Sequence, residues 1–456
     1  MRLGSVVLQR STLTDVFANP IRLVVVAFAA AVGVGTALLM TPVATETGEP
    51  ADLVTALFTA TSAVCVTGLV VVDTSTHWST AGELVILGLI QVGGLGVMTT
   101  ASVVALLIGS RLGIRASRLA EVEAQRGSPA LGSLQLVRSV VRTALLFEVA
   151  VAVVLAVRLA TAHGEPPGRA AYLGVFHAVS AFNNAGFALY ADSLERFVAD
   201  PVVCGAVALA IICGGIGFPV LWELRRAWRA PRRWSLHTRI TVWGTAALLP
   251  LSTVVITAAE WSNDATLGAH PGPVRLLAGF FHATNTRTAG FNSVPVGDLH
   301  DESLLASTVL MVIGGGSGGT AGGIKVTTFL LLGFVLWAEL RGERRVSVGG
   351  RTLPADVQRQ ALTVALLSVA AVVGSTYALL WMTDLPFGEV LFEAASAFGT
   401  VGLSTGITAG LPSGAQLLVA GLMFLGRLGP LTLGAALALR TRPRRVAYPE
   451  ERPIVG

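Results

Sequence analysis

Apolar residues gather in eight long runs separated by polar stretches, at 20–40, 82–109, 142–161, 201–222, 240–259, 304–337, 360–382 and 414–438. At about 1.5 Å per residue, a helical run of about 20 residues crosses the ~30 Å hydrocarbon core of a bilayer. The runs fall into pairs. Between the members of each pair lies a shorter apolar segment: Leu57–Leu69, Val175–Phe187, Phe280–Phe291 and Leu391–Leu403. Helices of that length reach only about half way through the membrane.

The short segments repeat one another. They read LFTATSAVCVTGL, VFHAVSAFNNAGF, FFHATNTRTAGF and LFEAASAFGTVGL. Each has a phenylalanine ten positions before a glycine, in the pairs Phe58/Gly68, Phe176/Gly186, Phe280/Gly290 and Phe392/Gly402. The second span of each pair repeats a glycine pattern as well: QVGGLGVMT (Gln91–Thr99), CGGIGFPV (Cys213–Val220) and LGRLGPLTL (Leu425–Leu433), expanded in the third pair to IGGGSGGTAGGIKVTT (Ile313–Thr328). Such periodicity marks an internal repeat. The unit is a span, a half-span with a glycine turn, and a second span. Its copies are expected at 1–110, 111–238, 239–350 and 351–456. Two crossings per unit leave all four in the same orientation, as in parallel repeats about an axis along the membrane normal. The expected fold class is an all-α polytopic membrane protein with eight transmembrane helices in four pore-loop units around a central pore.

Composition excludes a soluble enzyme. Charged residues are 13% of the chain, against roughly 25% in soluble domains. The mean hydropathy is +0.70. Arginine supplies the basic charge, because Lys325 is the single lysine among 32 Lys+Arg. The arginines cluster at the N-terminus, at 111–142, 225–239, 341–359 and 440–452, and these stretches alternate with the apolar runs. The positive-inside bias puts them, and both termini, in the cytoplasm. Glu46, Glu49, Asp73, Asp192, Glu195, Asp298 and Asp301 fall on the other side, where an acidic face steers cations inward. The basic stretches read as topology signals; the expected surroundings are a lipid bilayer, and no nucleic acid is expected. Cys65, Cys204 and Cys213 are too few and too apolar in setting for a disulfide framework or a zinc site.

Irregular backbone at membrane depth persists only where protein buries it or where it lines a wet cavity. A half-helix entering from outside aims its C-terminus, the negative end of its dipole, at the membrane centre. Four such ends favour a cation. The turns that follow are Cys65, Val66, Thr67, Gly68; Asn183, Asn184, Ala185, Gly186; Arg287, Thr288, Ala289, Gly290; and Gly399, Thr400, Val401, Gly402. Their carbonyls can replace water around an ion. Glycine suits them because carbonyls pointing one way require positive φ at some residues.

The third unit holds a second candidate. Gly314, Gly315, Gly316, Ser317, Gly318, Gly319, Thr320, Ala321, Gly322 and Gly323 interrupt what should be a helix. Each glycine disfavours helix by about 1 kcal/mol relative to alanine, so the segment is expected to break into a loop within the membrane. Ser317 and Thr320 can satisfy freed backbone groups. A phosphate-binding loop needs Gly-Lys-Ser/Thr in sequence, whereas Ile324 precedes Lys325 and Val326 follows it. Lys325 and Arg427 are cations inside spans, which costs roughly 2.5–3.5 kcal/mol each at mid-bilayer, so both should face protein or water. Arg427 is expected to reach the loop, and Lys325 reads as a positive barrier or an anchor; for either, the alternative is a side chain snorkelling to the interface. Glu148 and Glu393 read equally as packing partners or ion ligands, and His177 and His282 as core histidines. No nucleophile with base and no metal-ligand cluster appears in the spans, so the chain is not read as an enzyme.

The chain resembles the Trk/Ktr/HKT superfamily of potassium transporters along essentially its whole length. TRTAGF (Thr286–Phe291), GGTAGGIK (Gly318–Lys325) and GRLGPLTL (Gly426–Leu433) carry the likeness most specifically and favour the Ktr-type pore subunit. The resemblance implies a potassium selectivity filter centred on Gly68, Gly186, Gly290 and Gly402, with potassium at the filter carbonyls and no organic cofactor. It implies that the glycine run, with Lys325 and Arg427, is an intramembrane gate beneath the filter. It also implies a homodimer in the cell membrane, regulated by a separate cytoplasmic nucleotide-binding RCK subunit. Cys65 departs from the family's usual Ser or Thr, and Gly68 in place of serine favours potassium over sodium. Sodium dependence stays open, as does the alternative of a Trk-type or a sodium- or proton-coupled carrier.

Overall fold

The computed structural model describes residues 20–111, 129–343 and 345–439. Both chain ends lie outside the described residues, and with them the expected cytoplasmic termini, the arginines of 440–452 and most of the Arg-rich stretch after 111.

The first unit is α1 (Pro20–Leu39), a short helix α2 (Leu53–Cys65) and α3 (Thr80–Arg111). The second is α4 (Pro129–Ala162), α5 (Pro167–Phe182), α6 (Pro201–Ile216) and α7 (Phe218–Ala227). The third is α8 (Leu236–Glu260), α9 (Gly272–Asn285), α10 (Asp301–Val312) and α11 (Val326–Leu340). The fourth is α12 (Ala355–Met382), α13 (Phe387–Gly399) and α14 (Ser413–Leu439). Among the described residues, five helices are long and apolar enough to cross a membrane unbroken, six if α6 and α7 count as one.

Start signals are local. Asp52 caps α2 by accepting from the Val54 and Thr55 amides at 3.0 and 3.2 Å. Pro166, Pro271 and Pro386 stand at the N-caps of α5, α9 and α13. Proline has no amide hydrogen to leave orphaned there.

Each short helix packs against both spans of its own unit in the first, second and fourth units, and against α8 in the third. The second span of each unit also packs on the short helix of the next: α3 on α5, α6 on α9, α10 on α13, and α14 back on α2. The units therefore close into a cycle with the four short helices inside. Phe58, Phe176, Phe281 and Phe392 are fully buried there.

Two expectations need correction, and one break was foreseen. The run at 201–222 is not one span. It bends by 99° between α6 and α7 at Gly217, which has φ 101°. Pro219 has no amide to continue the ladder, and the Phe218 amide donates instead to Gly318 O in the third unit at 3.2 Å. The run at 304–337 is two helices joined by the glycine loop, the break expected from its composition. In the third unit the buried ring is Phe281, while Phe280 is half-buried, so the ten-residue spacing to Gly290 is not structurally equivalent there.

At the start of α6, Asp200 accepts from the Val202 and Val203 amides and from Arg158 Nε at 2.8 Å, and contacts His163 Nε2 at 2.7 Å. Partial burial pushes its carboxyl up, but His163, Arg158 and the two amides outweigh this and hold it down at about 2. A depressed folded pKa means stability present above the ordinary aspartate range and lost as pH falls through that range toward 2. Asp200→Asn should lower the melting temperature at neutral pH and reduce the acid sensitivity below pH 4. Equal melting curves for the two proteins across that range would show that the cluster contributes nothing.

Candidate functional site

The four turns after the short helices share a backbone. Val66, Asn184, Thr288 and Thr400 are left-handed, with φ 55°, 59°, 68° and 50°. Two residues on, Gly68, Gly186, Gly290 and Gly402 have φ 93°, 70°, 83° and 94°. Positive φ at alternate residues rotates successive peptide planes, as carbonyls pointing one way require. The glycines were expected; Val66, Thr288 and Thr400 were not, because β-branched residues disfavour this region, whereas asparagine tolerates it. Such strain costs on the order of 1–3 kcal/mol per residue and persists only where the surroundings over-determine it.

Those surroundings are hydrogen bonds from the short helices. Ser62 O accepts from the Thr67 amide at 2.8 Å, and Ser62 Oγ from the Gly68 amide at 3.0 Å. Ser396 does the same for Val401 and Gly402, at 2.8 and 3.1 Å. Ser180 O accepts from Ala185 at 2.7 Å, and its hydroxyl donates to Phe187 O at 2.8 Å. In the third unit Asn285 substitutes: its Oδ1 accepts from the Phe291 amide at 2.9 Å. The three serines each stand six positions before a turn glycine. That regularity is visible in the repeat, but no role could be assigned to it before the turns were seen.

The turns meet one another in a ring. A Cβ on Gly68 would lie 2.4 Å from Ala185 O, on Gly186 2.6 Å from Ala289 O, on Gly290 2.4 Å from Val401 O, and on Gly402 2.1 Å from Thr67 O. Each glycine thus lies against the carbonyl preceding the next glycine, and the fourth closes on the first. Among the described residues, no hydrogen bond is donated to the carbonyls of Val66, Thr67, Asn184, Ala185, Thr288, Ala289, Thr400 or Val401. The buried hydroxyls of Thr67, Thr288 and Thr400 also have no partner. Buried acceptors without donors are costly. So many converging on one ring, with no anionic side chain among them, suit a dehydrated monovalent cation.

The four residues of each turn named from the sequence come together here, with two refinements. Cys65 and Gly399 are the last residues of α2 and α13, so the irregular backbone starts one residue later. Arg287 contributes backbone to the third turn, but its side chain leaves toward α8, where Nη2 donates to Thr245 Oγ1 at 3.2 Å.

The glycine loop lies against this ring. Its neck is closed by Gly314 N to Ile324 O at 2.8 Å and Ile324 N to Val312 O at 3.1 Å. The loop rests on the second unit, with Gly316 N donating to Gly215 O at 2.8 Å and Thr320 N to Gly214 O at 3.2 Å. Thr320 Oγ1 donates to Asn184 Oδ1 at 2.9 Å, within the second turn. A Cβ on Gly322 would sit 2.0 Å from Thr400 Oγ1 in the fourth. Arg427 Nη1 donates to Thr320 O, as expected, while its Nε and Nη2 are buried without partners. Lys325 Nζ folds back to Ala321 O rather than snorkelling away. Ser317 pairs with Thr327 rather than with loop backbone. The seat on Gly214–Gly217 was not foreseen. Its signal was the match between CGGIGFPV and the loop sequence, two glycine-rich backbones that can approach closely.

The glycine pattern of the second spans has a direct cause. A Cβ on Gly93, Gly214 or Gly426 would come within 2.0, 1.8 and 1.9 Å of Val64 O, Phe182 O and Phe398 O. These are the carbonyls four residues before the turn glycines, so the same contact recurs in three units.

Glu148 accepts from Gln91 Nε2 and Asn183 Nδ2, bracing the second turn from behind. Glu393 accepts from Ser404 at 2.8 Å and from Thr408, both just outside the fourth turn. His177 contacts Leu173 O at 2.8 Å and accepts from the Leu189 amide at 3.3 Å, and His282 contacts Ser307 Oγ at 3.1 Å. All four are packing partners here and none faces the ring of carbonyls.

Residues 7–441 match the family model TrkH, described as a cation transport protein. Ktr system potassium uptake protein B of Bacillus subtilis is 37% identical over 439 residues, 96% of this chain and 97% of that protein. The Vibrio alginolyticus protein of the same name is 38% identical over 436 residues, covering 95% and 94%. Potassium/sodium uptake protein NtpJ of Enterococcus hirae is 32% identical over 444 residues, covering 96% and 97%. Among solved structures, the potassium transporter TrkH from Vibrio parahaemolyticus aligns with a TM-score of 0.71 at 19% identity, over 93% of this chain and 85% of that one, a likeness of fold.

Proposed function

The chain belongs to the TrkH cation transport family, and on that premise we propose that it is the potassium-translocating subunit of a Ktr-type uptake system. The pathway is channel-like: four pore-loop units around one axis, a selectivity filter at Gly68, Gly186, Gly290 and Gly402, and the loop 314–323 as a gate beneath it. The observation that carries this reading is the closed ring in which each turn glycine lies against the carbonyl of the next turn. Unsatisfied carbonyls and threonine hydroxyls in that ring stand in for a potassium ion's lost hydration shell. The names of the Bacillus and Vibrio relatives support potassium as the cargo.

The loop supports a gate because it touches the second and fourth turns and is held by an arginine that makes no ion pair among the described residues. Two cations, Arg427 and Lys325, on adjacent loop carbonyls oppose the passage of a third. The same names, as parts of a system, support a second component, proposed here as a cytoplasmic nucleotide-binding RCK ring docked on a homodimer of this chain. Both termini are assigned to the cytoplasm and the chain to the cell membrane.

Potassium uptake by a host lacking its own uptake systems, with and without this chain, tests the reading. Growth at low potassium should be restored, and measuring it with and without sodium decides whether sodium, which appears in the name of the Enterococcus relative, is required. No uptake from a chain that reaches the membrane folded would refute the assignment.

A further inference from the structure

Helix α7 is the part of the second unit that the pathway does not use. It leaves α6 at 99°. The Arg-rich stretch 225–239, which the positive-inside bias places at the cytoplasmic boundary, begins within α7 and continues into the turn after it. A helix turned through nearly a right angle at that boundary runs along the cytoplasmic interface. Its inner face is set by Phe218 and Val220, both buried.

Its outer face is basic and aromatic. Arg225, Arg226, Arg229, Arg232 and Arg233 are exposed, and none is in an ion pair among the described residues. The nearby acid, Glu223, is taken up by the Ser235 amide and hydroxyl, at 2.6 and 2.7 Å, and by Thr238. Trp222 and Trp228 are 46% and 64% exposed. The Arg226 and Arg229 guanidinium carbons lie 4.8 and 4.6 Å from the centres of those two rings. Arg341 lies 4.9 Å over exposed Trp337 at the end of α11, in the same manner. Tryptophan settles at headgroup level, and stacked arginine keeps its fork of donors free for phosphate oxygens.

We propose that α7 and the turn after it form a binding surface for the phosphates of anionic lipid headgroups in the cytoplasmic leaflet, and that this attachment steadies the base of the glycine loop. The second half follows from the hinge. Phe218 N donates to Gly318 O, and a Cβ on Gly217 would lie 2.7 Å from Ser317 O. A leaflet that fixes α7 fixes the loop in the position seen, so anionic lipid favours the closed pathway. The second half rests on the transport reading given above; the lipid site does not.

The test uses the full-length protein in neutral phosphatidylcholine liposomes with and without phosphatidylglycerol. Two triple variants are compared with wild type: R225Q/R226Q/R229Q, which removes charge, and R225K/R226K/R229K, which keeps it. Tryptophan quenching by brominated phosphatidylglycerol, against brominated phosphatidylcholine, reports binding without any flux. Wild type and the lysine variant should prefer the anionic lipid. Each basic residue at an anionic surface contributes about fivefold, so the glutamine variant should lose that preference by on the order of 100-fold. Equal quenching of wild type and glutamine variant overturns the lipid site. So does capture of a soluble regulatory chain that the glutamine variant abolishes while its lipid preference is unchanged, because α7 would then be a protein-docking helix. Potassium flux in wild type should be severalfold lower with phosphatidylglycerol, and the difference should vanish in the glutamine variant. Flux insensitive to lipid overturns the steadying of the loop. No flux from any variant in either lipid, with quenching as expected, would instead count against the transport reading.

Discussion

Deleting Gly316–Gly322 should raise potassium flux into liposomes by more than tenfold, and Arg427→Ala should raise it by less than the deletion. The loop is stapled at two places. Arg427 donates to Thr320 O on one side, and Gly214 and Gly215 accept from Thr320 and Gly316 on the other. A hydrogen bond from a charged donor contributes about 1.5–3 kcal/mol, and 1.4 kcal/mol is a factor of ten in an equilibrium. Removing the guanidinium therefore shifts the opening equilibrium by about tenfold or more while leaving the backbone bonds to the second unit. The deletion removes both staples. It also spares the neck, where Gly314 pairs with Ile324, so α10 and α11 stay joined. Selectivity for potassium should change little, because the ring of turn carbonyls is a separate structure. Thr320→Val, which loses the hydroxyl's contacts with Asn184 Oδ1 and Phe182 O but keeps the backbone bonds, should fall between wild type and Arg427→Ala. Equal flux in all four proteins, or flux lost in a deletion that still folds, would make the loop structural rather than a gate.

How far the sequence carries toward this picture depends on what each feature needs. Most of the apolar helices were legible, because length and apolarity are read along the chain, although five of the eight runs, or six with α6 and α7 joined, form helices able to cross a membrane among the described residues. The turn glycines and the Arg427 contact were legible because the repeat aligns positions that the fold later brings together. The positive φ at Val66, Thr288 and Thr400 was not legible, because β-branched residues resist that conformation and are held in it by Ser62, Asn285 and Ser396; Asn184, a residue that tolerates it, is held the same way by Ser180. The break at Gly217 was also missed. An apolar run reads as continuous, and only the seat of a loop about a hundred residues away shows why the backbone turns there. In the third unit the repeat itself misled by one residue, since two adjacent phenylalanines offer the same match and only Phe281 is buried against the core. Glu148 and Glu393 looked equally like ion ligands; their partners, amides and hydroxyls behind the turns, come from segments that no local pattern connects.

Gly68→Ser should reduce discrimination of potassium from sodium by about tenfold or more, with total flux less affected. Two costs arise at once. At φ 93° an L-residue is strained by roughly 1–2 kcal/mol, and its Cβ would lie 2.4 Å from Ala185 O and 3.1 Å from Gly186 Cα. Those neighbours are backbone and cannot swing aside as a side chain would, so the first and second turns must part. The displacement does not stay local. Thr67 O, one residue earlier, is the atom against which Gly402 packs, at 2.1 Å from a Cβ built there, so the fourth turn loses its stop as well. A ring that has opened by a few tenths of an ångström holds its carbonyls less firmly at the distance a potassium ion needs. Sodium, which requires closer ligands or retained water, then competes on more equal terms. Gly33→Ser is the matched control, because a Cβ on Gly33 of α1 has nothing within 4 Å, and it should leave selectivity unchanged. The measurement is competition between the two ions in an uptake assay on both variants. Unaltered competition in Gly68→Ser, with the protein folded and conducting, would mean that the ring of turns does not choose the ion.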